Sequence, residues 1–320
     1  MSSAMRRVAL IYNPASGQYS ARRKVAIQEA VAVLREGGAV ADAFETSTPG
    51  SGAVLAADAV RQGCDTVLAC GGDGTVNEVL QSLTGTEVAL GVVPLGTANA
   101  LATNLGLVGP PAKVARHLLE AVPVRVPVGR VHFQDQTGNR ASRYFTVAAG
   151  VGVDALLMSQ LDAGLKRRFG YIVYLVEAFR IWATASFPLF QATFPGNASG
   201  PPRVAELSQL LVVRVHSFGG VLRELAPGAT LHDDSLRLLA FRTRSRFRYL
   251  KFLLAVTVGR HSFSHDIELV DTPWVECRPC DGSKLSILVE VDGEFLGSLP
   301  VRIEMVPDAL TLLMAPHAQP

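Results

Sequence analysis

Along the first third of the chain, short apolar runs alternate with longer stretches whose apolar positions recur at helical spacing. Val8 to Tyr12 reads as a buried strand, closed by the turn Asn13-Pro14-Ala15-Ser16-Gly17. Arg22 to Arg35 carries Val25, Ala30, Val31 and Leu34, which predicts a helix ended by Gly37-Gly38. A second strand, Ala41 to Thr46, leads through a Ser/Thr/Pro/Gly loop into a helix from Ala53 to Arg61. The third strand is Val67 to Cys70, and a helix from Val76 to Leu83 comes after it. A fourth strand, Ala89 to Val93, passes through Pro94-Leu95-Gly96-Thr97-Ala98-Asn99 to a helix from Ala100 to Leu105. One more helix is predicted from Ala112 to Glu120. Strands and helices alternating at this length imply a parallel sheet covered on both faces. Ligands of such sheets sit beyond the carboxyl ends of the strands, where these loops emerge.

From Val124 the texture changes. Short alternating or apolar runs follow: Val124 to Phe133, Tyr144 to Ala148, Leu210 to Val215, Leu236 to Phe241, Leu285 to Val291 and Val301 to Met305. Turn signals such as Gln136-Thr137-Gly138-Asn139 separate them, as in a β-sandwich. Two amphipathic helical stretches interrupt the series, Leu165 to Ala185 and Phe247 to Val258. There is no internal repeat, and Pro195 to Pro202 reads as an exposed loop.

The chemistry concentrates in Cys70-Gly71-Gly72-Asp73-Gly74-Thr75-Val76-Asn77-Glu78. A strand feeding a glycine-rich turn and then a helix start leaves backbone N–H groups aimed at one spot. Glycines let the backbone approach an anion, and the helix N-terminus favours negative charge. The same residues also suit a plain tight turn. No G-x-x-x-x-G-K-[ST] occurs, so this is not a Walker loop, and it is not the G-x-G-x-x-G of dinucleotide oxidoreductases.

Size and composition narrow the classes. At 320 residues, 48% of them hydrophobic and 18% charged, the chain suits a globular protein of two domains. Thirty basic against 28 acidic residues, a formal charge of +2, indicate no nucleic-acid partner. Four cysteines are too few for a disulfide scaffold, and Cys277-Arg-Pro-Cys280 is a lone C-x-x-C better read as fortuitous than as zinc or redox chemistry. The apolar run after Arg7 is too short for a signal peptide. No segment reaches the ~18 apolar residues of a membrane span, since Tyr171 to Phe190 carries Glu177 and Arg180 and meets Pro188. The expected place is the cytoplasm, with transient membrane association.

Taken in order, Asn13-Pro14-x-Ser16-Gly17, Gly71-Gly72-Asp73-Gly74-Thr75-x-Asn77-Glu78 and Pro94-Leu95-Gly96-Thr97-x-Asn99 resemble the diacylglycerol kinase catalytic domain, closest to bacterial soluble lipid kinases and the related sphingosine and ceramide kinases. The resemblance continues through Ala226-Pro227-Gly228-Ala229 with Asp233-Asp234-Ser235-Leu236, and through Val291-Asp292-Gly293-Glu294, so it covers nearly the whole chain. It implies an α/β plus β protein. A Rossmann-like parallel α/β domain (1–123) would hold ATP, a β-sandwich (124–305) would receive lipid, and 306–320 would return towards the first domain. The active site would lie in the interdomain cleft.

Residue by residue, the resemblance sets Asn13, Gly71, Gly72, Asp73, Gly74, Thr75, Val76, Asn77 and Glu78 along the ATP phosphates and ribose, with Thr97 and Asn99 completing the pocket. Thr46 would add a hydroxyl, with Thr48 as its competitor. Asp292 matches the family's proton acceptor and Glu294 supports it. Asp233, Asp234 and the Leu236 carbonyl stand where relatives bind Mg²⁺, although Ser235 replaces the usual glycine. Asp154 resembles an acidic position near the γ-phosphate or the lipid head.

Moving a phosphoryl group to a hydroxyl needs bound phosphates, a divalent cation and a carboxylate to take the proton. Oxygen-only ligands suit Mg²⁺. Read without the resemblance, Asp292-Gly293 is also the commonest hairpin signal, Asp233-Asp234 an ordinary solvated turn, and Asp154 a cap for a helix at Ala155. Asn99-Ala100-Leu101-Ala102 is closer to sphingosine-type kinases than to the Asn-Asp of many diacylglycerol kinases, which leaves the lipid undecided. Lys166-Arg167-Arg168 with Tyr171, Tyr174, Leu175, Phe179 and Trp182 reads as a core-facing helix or as one that docks on an anionic bilayer. The expected partners are a lipid at a membrane surface, reached by peripheral contact, and no nucleic acid; a homodimer is open. Two competing functions remain: an NAD-kinase-like enzyme on a soluble substrate, which shares a Gly-Gly-Asp-Gly-Thr loop, and a lipid- or nucleotide-binding module without turnover.

Overall fold

The computed structural model describes residues 5–16, 20–135, 137–153, 155, 187–196, 200–218, 225–257, 266–282 and 285–315. The chain forms two compact units, one from Met1–Val128 with Pro307–Pro320 and the other from Gly129–Val306.

The first unit is the predicted α/β sheet. Its elements are β1 (Arg7–Tyr12), α1 (Ser20–Glu36), β2 (Val40–Glu45), α2 (Ser51–Arg61), β3 (Thr66–Gly71), α3 (Asp73–Leu83), β4 (Ala89–Pro94), α4 (Ala100–Asn104) and α5 (Pro111–Leu119). The strands lie in the order β2-β1-β3-β4, all parallel. Every residue of β3 is buried, as expected of a strand with helices on both faces. The chain steps from β1 outward to β2 and then back past β1 to β3. That reversal is the topological switch point, where open α/β sheets bind ligands.

The helix after β3 starts at Asp73, three residues before the predicted Val76. Gly72, extended at φ −91° and ψ −173°, is its N-cap, so the Asp73 carboxylate lies in the first helical turn and not in a loop. Beyond β4 the sheet gains the end of a late strand, β16 (Val301–Met314), parallel to β4 at Thr311↔Ala89 and Leu312↔Leu90. Arg125 fastens this strand: its guanidinium bonds Asp308 Oδ1 at 3.1 Å, the Thr86 carbonyl at 2.7 Å and Thr311 Oγ1 at 3.2 Å.

The second unit consists of antiparallel sheets. One orders β6 (Arg140–Phe145), β5 (Val122–Gln134), β16, β13 (Trp274–Pro279), β8 (Phe190–Phe194) and β9 (Arg203–Leu207). The other orders β12 (Ile267–Thr272), β11 (Leu236–Phe241), β10 (Gln209–Val213), β7 (Ala148–Val151), β14 (Leu288–Val291) and β15 (Glu294–Ser298). Alternate residues build two cores. Leu210, Val212, Leu236 and Leu238 join Phe145, Phe190, Val275 and Ile303 in one cluster. Their neighbours Leu211, Val213, Leu239 and Phe241 pack with Phe252 and Val256 of α6 (Arg246–Thr257) in the second. Both faces of β10 and β11 are therefore covered, which explains the continuous apolar stretches Leu210–Val213 and Leu238–Phe241 within them.

The predicted strand from Tyr144 to Ala148 is interrupted. It ends as β6 at Phe145 and resumes in the other sheet as β7 at Ala148. The amides of Thr146 and Val147 go to a carboxylate instead of a ladder, as described below.

Candidate active site

In the first unit the loops after β3 and β4 are docked backbone to backbone. Leu95 donates its amide to the Gly71 carbonyl at 2.8 Å. A Cβ on Gly96 would stand 2.5 Å from Gly72 Cα and 2.8 Å from Asn99 Oδ1, so only glycine admits this approach. Gly71 is restricted by Thr75, whose side chain would lie 2.3 Å from an added Cβ. Asn99, left-handed at φ 49°, closes its own turn: Oδ1 accepts the Gly96 amide and Nδ2 donates to the Gly96 carbonyl, both at 2.9 Å. Thr97 is exposed on this turn.

The two carboxylates of the glycine motif cap neighbouring helices. Asp73 accepts the amides of Asn99 at 3.0 Å and Ala100 at 2.8 Å, at the start of α4. Glu78 accepts those of Gly50 and Gly52 at 2.8 Å each, at the start of α2, and a Cβ on Gly52 would meet Glu78 Oε2 at 2.6 Å. Three helix starts and the loops before them are thus tied into one cradle. N–H groups of a first helical turn have no intrahelical acceptor, and the helix dipole favours an anion there. Gly74 is exposed at this end of α3, while Thr75, Val76 and Asn77 are buried, and Val76 spends its amide on the Gly72 carbonyl.

Asn13 forms the turn after β1, its Oδ1 accepting the Ala15 amide at 2.8 Å, and its own amide reaches the Cys70 carbonyl of β3. The buried Arg23 guanidinium donates to the Asn13 and Pro14 carbonyls. Beside the cradle a recess of about 470 Å³ is lined by Glu45, Ser47, Thr48, Pro49, Ser51 and Val54. Of the two candidate threonines, Thr48 lines it, whereas Thr46 is buried and donates its amide to the Tyr12 carbonyl. Glu45 is also held by the Tyr12 hydroxyl at 2.7 Å; that hydrogen bond and burial push the phenol up to about 12.

In the second unit Asp292 and Gly293 form the two-residue turn between β14 and β15, with φ 47° and 82°. Positive φ at both positions is the hairpin turn that Asp-Gly favours. The turn also presents a fixed carboxylate. Asp292 Oδ2 accepts the Thr146 amide at 3.1 Å, and Oδ1 accepts those of Val147 and Ala148 at 2.9 and 3.0 Å. The hairpin and the proton acceptor are therefore compatible readings of the same two residues. Glu294 pairs with Arg143 at 2.6 Å, and the buried Glu290 accepts the Gly293 amide at 2.8 Å.

Asp233 Oδ2 accepts the Thr230 amide at 3.2 Å, Asp234 is exposed, and Leu236 is buried at the start of β11. Among the described residues no three His, Cys, Asp or Glu side chains are grouped as a metal site. Asp154 and the stretch from Lys166 to Trp182 lie outside the described residues. Two buried charged residues near these positions were not singled out in the sequence. Glu290 is an acidic residue inside an apolar strand, and Arg214 is a fully buried arginine that ends the apolar run from Leu210. A charge breaking such a run was the available signal for each.

Comparison with known proteins bears on both units. The family described as diacylglycerol kinase catalytic domain matches residues 7–131, and the one described as YegS C-terminal NAD kinase beta sandwich-like domain matches residues 146–314. A "Probable lipid kinase YegS-like" from Chromohalobacter salexigens is 31% identical over 293 residues, covering 89% of this chain and 88% of that protein. A "Diacylglycerol kinase" from Mycobacterium tuberculosis is 28% identical over 317 residues, covering 97% and 96%. A crystal structure of a diacylglycerol kinase from Bacillus anthracis str. Sterne superposes with a TM-score of 0.70 at 18% identity, covering 99% of both chains, a likeness of fold.

Proposed function

The chain belongs to the diacylglycerol kinase family and is a lipid kinase, and from that premise we propose that it transfers the γ-phosphoryl group of Mg-ATP to the hydroxyl of a diacylglycerol- or sphingosine-like lipid, with Asp292 as general base. The observation that carries this reading is the Asp292 carboxylate, aimed by three backbone amides at the tip of a tight hairpin. A base must be held in a fixed direction to accept a proton as the oxygen–phosphorus bond forms. Glu294, anchored by Arg143, keeps a second carboxylate beside it.

ATP would lie with its phosphates against the start of α3 and with Thr97 and Thr48 as nearby hydroxyls. The interlocked backbones of Gly72 and Gly96 keep that surface narrow, and Asp73 and Glu78 hold its walls. Phosphoryl transfer passes through a loose transition state, so binding and orientation of this kind supply most of the catalysis.

The family implies Mg²⁺ at the acidic turn. The donors present, two carboxylates and a carbonyl, are hard oxygens that suit this ion, and the exposed Asp234 gives access. Asp233, Asp234 and the Leu236 carbonyl would hold it, and it would supply a fixed positive charge that locks the turn.

A lipid panel phosphorylated with Mg-ATP, with NAD as a soluble acceptor for comparison and products read by mass, tests the reading. Product from dispersed diacylglycerol or sphingosine is expected, with turnover falling at least about a hundredfold in Asp292→Asn while ATP binding persists. Unchanged turnover in that variant, or product from NAD alone, overturns it.

A further inference from the structure

Arg214 follows the last residue of β10 and is 2% exposed, among the largest fully buried side chains of the protein. Its backbone is bound into the same step of β7 that holds the base. Val213 pairs with Ala148 on one side of β7, and Asp292 donates its amide to the Ala148 carbonyl on the other. Arg214 donates its amide to the Val147 carbonyl at 3.0 Å, and Val147 donates its own amide to Asp292 Oδ1 at 2.9 Å. The two residues therefore flank positions 147 and 148 from opposite edges. At its far end the Arg214 guanidinium donates to the Leu231 carbonyl at 3.1 Å, in the turn that carries Asp233 and Asp234.

A guanidinium withdrawn from water is retained only where acceptors and opposite charges answer it. Burial pushes Arg214 down to about 10, while the carboxylates of Asp292, Asp233 and Asp234 act in the opposite sense. Among the described residues, the charged groups around Asp292 include this arginine on the β10 side, Glu290 within β14, and Glu294 on β15 with its partner Arg143 from β6. Arg143 pairs with Glu294, and the charge of Arg214 answers Asp292 from the β10 side.

We infer that Arg214 is a positioning residue for the phosphoryl transfer, tying the Asp233–Asp234 turn to the hairpin of Asp292 and holding that carboxylate ionised and correctly aimed. The inference rests on Asp292 being the base. Removing a nearby positive charge raises the pH at which a carboxylate ionises.

Two variants separate charge from anchoring. Arg214→Gln retains a donor for the Leu231 carbonyl and removes the charge; Arg214→Lys retains the charge and removes the fork. In Arg214→Gln the acidic limb of kcat against pH is expected to move up by about one unit, with kcat at neutral pH at least about tenfold lower and KM for ATP within about twofold of wild type. In Arg214→Lys the limb is expected to stay in place, with kcat three- to tenfold lower, roughly what loss of one ordinary hydrogen bond produces. Wild-type kcat in Arg214→Lys overturns the inference, even if Arg214→Gln does not fold. So does an unmoved limb in folded Arg214→Gln. Asp292→Asn, run in parallel, shows whether the base itself has been misassigned: full turnover there ends the reading of Asp292, whereas loss there beside normal Arg214 variants ends only the present inference.

Discussion

A methyl group on Gly96 would stand 2.5 Å from Gly72 Cα, so the loops after β3 and β4 touch through backbone alone. Neither glycine has a positive φ, so the restriction is one of space. Gly96→Ala is expected to push the loops apart and raise KM for ATP at least about tenfold, with a smaller effect on kcat, because misplaced phosphates lose contacts in both ground and transition states. Gly72→Ala should be milder, since its Cβ would meet Gly96 Cα at 3.3 Å. Steady-state kinetics on both variants checks the order, and equal effects would contradict it.

Glu78 acts as the remote cap of α2, with one oxygen on Gly50 and the other on Gly52. Glu78→Ala should lower stability by about 1–2 kcal/mol, the usual cost of losing a helix cap. It should also loosen the Thr46–Gly50 loop, visible as faster amide exchange there. Glu78→Gln, which keeps one acceptor, should recover part of the loss in urea unfolding.

Arg125 bonds two segments more than two hundred positions apart, Thr86 on one side and Asp308 with Thr311 on the other. Arg125→Ala is expected to destabilise the first unit by roughly 1–3 kcal/mol, because the Thr86 carbonyl loses a charged donor. Exchange protection should drop first along the end of β16. Protection equal to wild type there would show that the strand is held by its ladder alone.

Glu304 on β16 answers two arginines and a histidine. Burial pushes its carboxyl up, but hydrogen bonds from His132, Arg130 and Arg302 outweigh this and hold it at about 2. A carboxyl depressed on folding stabilises the native state above its unfolded pKa of about 4.5, and that stability is lost as pH falls towards 2. The difference in Tm between wild type and Glu304→Gln should be largest above about pH 5 and should shrink steadily below about pH 4. A difference independent of pH would show that packing, not charge, is what the substitution removes.

The first unit was legible because its strands are short apolar runs between helical periods, and its ligand loops announce themselves by glycine. What those loops do with their carboxylates was not legible. Asp73 and Glu78 reach amides 26 to 28 positions away, a relation carried by the fold and invisible in spacing. The second unit was read as a sandwich, yet β8, β9, β12, β13 and β15 were not singled out. Polar positions such as Gln191, Glu206 and Arg278 are the exposed members of the alternation, and strands of only five or six residues repeat it too few times to stand out. The run from Tyr144 to Ala148 looked continuous because nothing local reveals that Asp292, far along the chain, takes its amides. Val301 to Met305 looked complete because Pro307 and Asp308 resemble a stop, whereas β16 continues past them to Met314.

That continuation has a bearing on biosynthesis. The edge of β4 that accepts Thr311 and Leu312 is made early, but the residues that cover it leave the ribosome only after the whole sandwich has been translated. Until then the nascent α/β sheet carries an open hydrogen-bonding margin of the kind that recruits foreign strands. Its final strand is therefore both the last piece of the parallel sheet and its guard against misassembly.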